Sequence, residues 1–248
     1  MFIDTHCHLS IEDYDDIDKV VKEDIEAGVK KLIVSACTKN TFEEALALAK
    51  KYDSIYVTLG FHPSEVDTTD ADLELLKELL KTDKVVGVGE IGLDYHYGKD
   101  DIDIQKELFE KQLVIAEKLN LPVVIHSRDA VNDTIETLKK HNVKGVIHCF
   151  SGSVETADIY IKLGYKLGIG GVVTFKNSNL YKVVEHVGLD NIVLETDSPY
   201  LAPDPFRGKQ NSSKYIPVIA TKIADILNVS LSEVEDKTTM TASNLFDL

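Results

Sequence analysis

Short runs of β-branched residues alternate with longer amphipathic stretches along the whole chain. The runs, which predict strands, are residues 2–5, 31–35, 55–59, 85–90, 123–126, 145–148, 166–169 and 191–195. Eight strands, each followed by a helical pattern, are typical of a closed (β/α)8 barrel, the TIM-barrel form of the α/β class. An open doubly wound sheet is the alternative. No glycine-rich dinucleotide-binding sequence follows the first run, so we predict the barrel.

Residues at the predicted helix ends agree with this alternation. Thr41 with Glu44, and Ser230 with Glu233, have the spacing of capping boxes. Gly28 marks the end of the first helix. No linker, repeat or low-complexity segment interrupts the series, so residues 1–248 are expected to form one barrel domain.

The composition indicates where the protein works. The apolar runs are far shorter than the ~20 residues of a membrane span, and Asp4, His6 and His8 interrupt any apolar signal peptide. Three cysteines without paired spacing suit a reducing compartment. We therefore expect a cytoplasmic, monomeric protein that neither enters a membrane nor requires a protein partner.

The formal net charge of −15 restricts how a substrate is held. A protein that binds nucleic acid through its surface usually carries a basic stripe, and this sequence does not show one. A phosphate-bearing substrate must then be held by a local positive centre, which bound metal ions would supply.

Two histidines occupy alternate positions of the first strand, in FIDTHCH. Because strand side chains alternate between faces, His6 and His8 point one way and Cys7 the other. The two imidazoles, about 7 Å apart by strand rise, can converge on one ion. A chance pair of core or surface histidines is the alternative that this motif alone leaves open.

Further ligand-type residues stand at the ends of other predicted strands: Glu90, His126, His148 and Asp197. In a parallel barrel these ends open onto one rim, where active sites are built. Burying two carboxylates there without cations would be costly, so we predict a metal site.

Six candidate ligands exceed the three that one catalytic ion usually takes, which indicates two divalent ions. Zn, Mn, Ni and Mg all remain possible. Glu90 has two oxygens with which to bridge the ions, and water between them would ionise near neutral pH. Asp197 is expected to bind one ion and to accept a proton from the attacking water.

The ligands belong to seven ordered motifs: FIDTHCHL, GFHP, GEIGLDYH, HSRDA, HCFSG, LETDSPYLAP and RGK. Over essentially the whole chain, this series resembles the TatD family of metal-dependent deoxyribonucleases. The resemblance implies an amidohydrolase-type barrel that hydrolyses DNA. It also implies a first ion on His6, His8 and Asp197, a second on His126 and His148, and Glu90 between them.

Other residues of the rim are candidates for substrate contacts: His62, Arg128, Arg207 and Lys209. The two arginines follow ligand strands, and a guanidinium group can bind phosphate through two hydrogen bonds. A structural ion pair is the alternative for Arg128, and a structural role is the alternative for His62. Cys149 alternates away from His148 and is expected in the core.

Three functions are compatible with such a site. The first is a deoxyribonuclease that cleaves phosphodiester bonds at the ends of single-stranded DNA, as a 3′-to-5′ exonuclease would, with DNA or an oligonucleotide as transient substrate. The second is a metal-dependent amide or ester hydrolase that acts on a small molecule or an aminoacyl-tRNA. The third is a non-catalytic binding barrel, which the complete ligand set disfavours.

Overall fold

A computed structural model describes residues 1–96, 98 and 100–248, and in this part of the chain eight parallel strands follow one another around the sheet in sequence order. The strands are β1 (Phe2–Cys7), β2 (Val29–Ala36), β3 (Ile55–Leu59), β4 (Val85–Asp94), β5 (Val123–Arg128), β6 (Gly145–Ile147), β7 (Tyr165–Ile169) and β8 (Ile192–Leu194). The α-helices are α1 (Ile17–Glu26), α2 (Lys39–Lys51), α3 (Asp70–Leu79), α4 (Ile102–Leu119), α5 (Val131–Leu138), α6 (Val154–Lys162), α7 (Leu180–Val187), α8 (Ile216–Leu227) and α9 (Leu231–Phe246). Short 3-10 helices span Gly171–Thr174, Leu189–Asn191 and Ser213–Tyr215. None of the described helices is long and apolar enough to cross a membrane.

The edge strands β1 and β8 meet and bring the sheet round to a barrel. Backbone N–H groups of Thr196 and Asp197 donate to the His6 carbonyl at 3.4 and 3.0 Å. The Thr5 hydroxyl donates to the Leu194 carbonyl at 3.0 Å. The predicted (β/α)8 fold is therefore confirmed, with the carboxyl ends of the strands on one rim.

The barrel interior is packed at the end opposite this rim. Inward-facing strand residues form one apolar cluster with the last turns of α9: Ile3, Ile33, Val124, Val146, Val193, Ala242 and Phe246. Branched residues commonly fill such barrels in layers. Polar side chains lie nearer the rim, where Ser35 and Thr58 share a hydrogen bond of 2.9 Å. The end of the barrel opposite the rim is thus filled by apolar side chains, and the rim itself is polar.

Strand β4 is longer than predicted, and Glu90 does not end it. The prediction stops at residue 90, whereas the strand continues to Asp94. Val88 and Ile91 are three positions apart, but their partners on β5 are two positions apart. One extra residue in a strand is a β-bulge, which re-aims a side chain. The bulge turns Glu90 toward the barrel axis, a feature that side-chain periodicity does not reveal.

Two buried glutamines of α4 fix the backbone at the rim. Gln105 accepts from the Asp94 N–H and donates to the Asp94 carbonyl, both at 2.9 Å. Gln112 does the same for Phe61, at 2.7 and 3.0 Å. Because each amide satisfies both backbone groups of one residue, α4 holds the end of β4 and the turn after β3 in place.

The helix-capping predictions had different outcomes. Ser230 caps α9 and accepts a bond from the backbone N–H of residue 233, which confirms the predicted N-cap, but Glu233 makes no return bond to complete the box in this described helix. The box at Thr41 was wrong, because Thr38 is the N-cap of α2 and Thr41 takes the third helical position. A threonine hydroxyl replaces the usual Glu carboxylate in that box. The Glu44 carboxylate instead accepts from the Ile11 N–H at 2.8 Å.

A buried asparagine organises the loop after β8. Asn211 donates to the carbonyls of Thr196 and Tyr200 at 2.8 and 2.6 Å, and its own side-chain oxygen accepts from the Ser212 N–H. Its backbone carbonyl accepts from the Tyr14 hydroxyl at 2.9 Å. These bonds fix the loop that carries Asp197.

Replacement of this asparagine should therefore destabilise the protein. We expect Asn211→Ala to lower the free energy of unfolding by about 2–3 kcal/mol, because the buried carbonyl of Thr196 and the part-buried carbonyl of Tyr200 lose their donor. Urea denaturation measures the change. The control, Asn177→Ala in an exposed turn, should have an effect below about 0.5 kcal/mol. Equal stability of the two variants would contradict the anchoring role.

Candidate metal centre

The first group of ligand candidates lies around one carboxylate oxygen of Glu90, Oε2. Nε2 of His6 and Nε2 of His8 each lie 3.5 Å from Asp197 Oδ1. The same nitrogens lie 3.5 and 3.7 Å from Glu90 Oε2. Cys7 points the other way, with its thiol 3.5 Å from the Ile33 carbonyl. The alternation of the FIDTHCH motif therefore has the expected geometry.

The second group surrounds the other oxygen of the same carboxylate. Glu90 Oε1 lies 2.7 Å from His126 Nδ1 and 2.9 Å from His148 Nε2. The two histidine nitrogens are 3.3 Å apart. Each oxygen of Glu90 thus faces a separate pair of imidazoles, which is the arrangement needed for a carboxylate that bridges two ions.

The spacing and protonation of these atoms suit metal ions. Donors about 2.1 Å from a tetrahedral ion are about 3.4 Å apart, close to the distances in the first group. His6 Nε2 is buried and has no hydrogen-bond partner among the described residues. Burial also lowers the pKa of His6 to about 4, so its ring is neutral. A buried ring nitrogen that lies near two carboxylates and has no hydrogen-bond partner fits a metal ligand.

Hydrogen bonds at the far ring nitrogens orient the histidines. His8 Nδ1 donates to the Ser35 carbonyl at 3.1 Å, which leaves Nε2 as the nitrogen available to an ion. His6 Nδ1 lies 3.0 Å from the Ser35 hydroxyl. His126 Nε2 lies 3.0 Å from Asp94 Oδ2, which leaves Nδ1 for an ion. Such partners fix the tautomer and raise the basicity of a ligating histidine.

A fully buried glutamate lies behind His148. Glu195 Oε1 accepts from the backbone N–H of Cys149 and lies 3.9 Å from His148 Nδ1. A Cβ on Gly168 would lie 2.0 Å from Glu195 Oε2, so this strand position must lack a side chain. Burial raises the pKa of Glu195 to about 8. Asp94 thus supports His126 by a direct hydrogen bond, whereas Glu195 lies behind His148 beyond hydrogen-bond distance.

The carboxylates and imidazoles of the centre stabilise each other's charges against the effect of burial. Burial alone would raise the pKa of Glu90, but His148, His126 and His6 hold it well below its ordinary value. Burial alone would lower the pKa of His126, but hydrogen bonds to Asp94 and Glu90 raise it to about 9. Without ions, the positive charge that the carboxylates need comes from protonated histidines, whose protons bound ions would replace.

A cavity of about 830 Å³ opens above the ligands. His62 and Arg128 line it, as do the acidic side chains of Glu12 and Glu44 at its mouth. Arg128 pairs in register with Asp94 on β4. Burial would raise the pKa of the Asp94 carboxyl, but the hydrogen bond to His126, the His96 N–H and the nearby charges of His126 and Arg128 lower it. The two candidate substrate contacts from β3 and β5 therefore share the ligand cavity.

The other basic candidates lie elsewhere in the loop after β8. The Arg207 guanidinium lies 4.2 Å from the centre of the Phe175 ring, and the Lys209 ammonium 5.7 Å from that of Phe206. Both residues are exposed, and neither lines the described cavity. Their role in substrate binding stays a prediction.

His62 is positioned as a donor rather than a ligand. Its Nδ1 accepts the backbone N–H of Ser64 at 3.1 Å, and burial lowers its pKa to about 4. The neutral ring must then carry its proton on Nε2, which lies 3.9 Å from Glu90 Oε1. An Nε2–H group cannot bind a metal, but it can donate to a substrate oxygen.

Two cysteines reach this centre unexpectedly. The prediction that Cys149 lies in the core was wrong, because its positive φ of 49° ends the strand alternation and its thiol lies 3.6 Å from Asp197 Oδ2. Cys37, which the sequence did not predict at the site, has its thiol 3.4 Å from Glu90 Oε2. Its place directly after β2 was the signal that could have found it.

A barrel that gathers these ligands at its carboxyl rim has the architecture of a metal-dependent hydrolase. The sequence matches the family model for TatD related DNase over residues 3–247. It is 41% identical over 252 residues to the metal-dependent hydrolase YabD of Bacillus subtilis, with 99% of each chain covered. It is 35% identical over 254 residues to the metal-dependent hydrolase YcfH of Escherichia coli, with 99% of this chain and 96% of that protein covered.

The crystal structure of YjjV, a TatD homologue from E. coli, matches with a TM-score of 0.92 and 33% identity over 100% of this chain and 98% of that one. The chain belongs to the TatD family of metal-dependent hydrolases.

The support of His126 by Asp94 can be tested through metal affinity. We expect Asp94→Asn to weaken binding at the second ligand group by about 10- to 100-fold, because the amide cannot fix the tautomer and basicity of His126 as the carboxylate does. Titration calorimetry with Mn²⁺ measures this change. The exposed carboxylate of Asp129 provides the control variant, Asp129→Asn. Identical affinities of the two variants would contradict the supporting role.

Proposed function

We propose that this hydrolase is a deoxyribonuclease that removes nucleotides from the ends of single-stranded DNA, in the 3′-to-5′ direction, at a centre of two divalent ions. The observation that carries the proposal is the position of Glu90, whose two oxygens face two separate pairs of histidines. Two-metal centres clamp both the attacking and leaving oxygens of a phosphodiester. The matching family model, which is named for a DNase, also supports a nuclease.

Two bound ions would neutralise the phosphate and ionise the attacking water. His6, His8 and Asp197 would hold one ion, and His126 and His148 the other. Glu90 would contact both ions, one with each carboxylate oxygen. The identity of the ions is open among Zn²⁺, Mn²⁺, Ni²⁺ and Mg²⁺.

The chain itself would handle the proton and orient the phosphate. Asp197 would accept the water proton, because it is a carboxylate at the first ligand group, with Oδ1 3.5 Å from Nε2 of both His6 and His8. His62 would donate a hydrogen bond from its Nε2–H group to a phosphate oxygen. Arg128, which lines the cavity, would bind the next phosphate of the DNA strand after the scissile one.

The mouth of the cavity is acidic. It therefore favours a substrate that has few phosphates beyond the one bound at the metal centre. Glu12, Asp13 and Glu44 line it, and the chain has a net charge of −15. Electrostatic gripping of a long strand requires several cationic contacts. Terminal nucleotides and short oligonucleotides therefore suit the cavity better than internal sites in duplex DNA.

Loss of the bridging carboxylate or the base should abolish nuclease activity. With Mg²⁺ or Mn²⁺ present, we expect the protein to shorten a 3′-exposed single strand stepwise, and EDTA to stop it. Glu90→Gln and Asp197→Asn should each reduce the rate by at least about 10³-fold, because both alter metal binding and Asp197→Asn also removes the base. Denaturing gels of a 5′-labelled strand measure the products.

Exposed carboxylates provide matched controls: Glu155→Gln and Asp129→Asn should retain the parental rate. Full activity of Glu90→Gln or Asp197→Asn would refute the role given to that residue. Turnover of amides, lactones or aminoacyl esters without cleavage of DNA would replace the proposed nuclease by the small-molecule hydrolase. Shortening from the 5′ end would correct the polarity alone.

A further inference from the structure

Tyr200 presents an exposed aromatic ring beside the metal centre. Its side chain is 59% exposed and, with Leu201 at 43%, lines the mouth of the ligand cavity. The ring centre lies 6.2 Å from that of His8, one of the ligand candidates. An exposed ring of this size, next to the place where a phosphate would bind, is a potential binding surface.

The backbone that carries this ring is held from several sides. The Tyr200 N–H donates to the Asp197 carbonyl at 2.9 Å, and its carbonyl accepts from the buried Asn211 amide at 2.6 Å. A Cβ on Gly171 would lie 2.3 Å from the Leu201 carbonyl, so a glycine is required for the loop to pack there. A ring on a fixed backbone loses little conformational entropy when a ligand binds.

The charges around the ring indicate what it binds. Glu12, Asp13 and Glu44 share the cavity mouth and would repel additional phosphates. Apart from the phosphate contact proposed for Arg128, contacts beyond the scissile phosphate should therefore be uncharged. A nucleobase offers an uncharged aromatic face, and stacking on a tyrosine does not depend on base identity.

From these observations we infer that Tyr200 is the platform on which the base of the terminal nucleotide stacks while its phosphate lies at the metal centre. This inference rests on the proposed nuclease function and names the group that gives the enzyme its preference for single-stranded ends. A paired base is already stacked in its duplex and is not available to the ring.

The absence of tryptophan from the chain makes a specific test possible. Tyr200→Trp introduces a single indole at the platform, and Tyr181→Trp introduces one at an exposed position on α7 as a control. With Ca²⁺ present, a pentathymidylate should quench the emission of the first variant and not the second. The same oligonucleotide with an abasic 3′-terminal residue should quench neither, and anisotropy of labelled oligonucleotides reports binding independently.

Kinetics with the same oligonucleotides separate stacking from a structural role. Tyr200→Phe should retain activity, whereas Tyr200→Ala should raise KM about 10-fold with little change in kcat on the normal substrate. On the abasic substrate, the parent and Tyr200→Ala should have equal KM. Equal losses on both substrates, or binding without quenching, would overturn the platform.

The outcomes for platform and nuclease are distinguishable. Cleavage without base-dependent quenching would leave the nuclease standing and refute the platform. Base-dependent quenching without cleavage would support the platform and refute the nuclease. The absence of both would refute both.

Discussion

The buried carboxylate of Glu90 sets the requirement that the rest of the rim meets. It is held near the barrel axis, where burial opposes a negative charge, and imidazoles approach each of its oxygens. Asp197 adds a second carboxylate within 3.5 Å of His6 and His8. Two buried carboxylates are stable only beside positive charge. Divalent ions supply that positive charge more effectively than protonated histidines do.

The fold positions these groups by several local devices rather than by one. A bulge in β4 turns Glu90 inward, and the Ser35 carbonyl on β2 fixes the tautomer of His8. Asp94 sets the tautomer of His126, while α4 fixes the backbone of Asp94 through Gln105. The ligands are therefore supported by hydrogen bonds that reach the outer helices, which holds the site rigid before any ion binds.

The sequence predicted features that follow from periodicity and residue type. Alternation of strands and helices was enough for the barrel, and strand alternation was enough to place His6 and His8 on the same side. It could not show the bulge at Glu90, because a bulge is a departure from periodicity. Cys149 was misplaced for the same reason, since its left-handed backbone conformation ends the alternation. The tautomer of His62 depends on a contact with the Ser64 backbone that no spacing reveals.

A crystal structure with Mn²⁺ tests the central claim most directly, because anomalous scattering locates the ions. We expect two peaks per chain, one among His6, His8 and Asp197 and the other beside His126 and His148. A different oxygen of Glu90 should contact each peak. A single peak, or two peaks of which only one touches Glu90, would contradict the bridged two-ion centre.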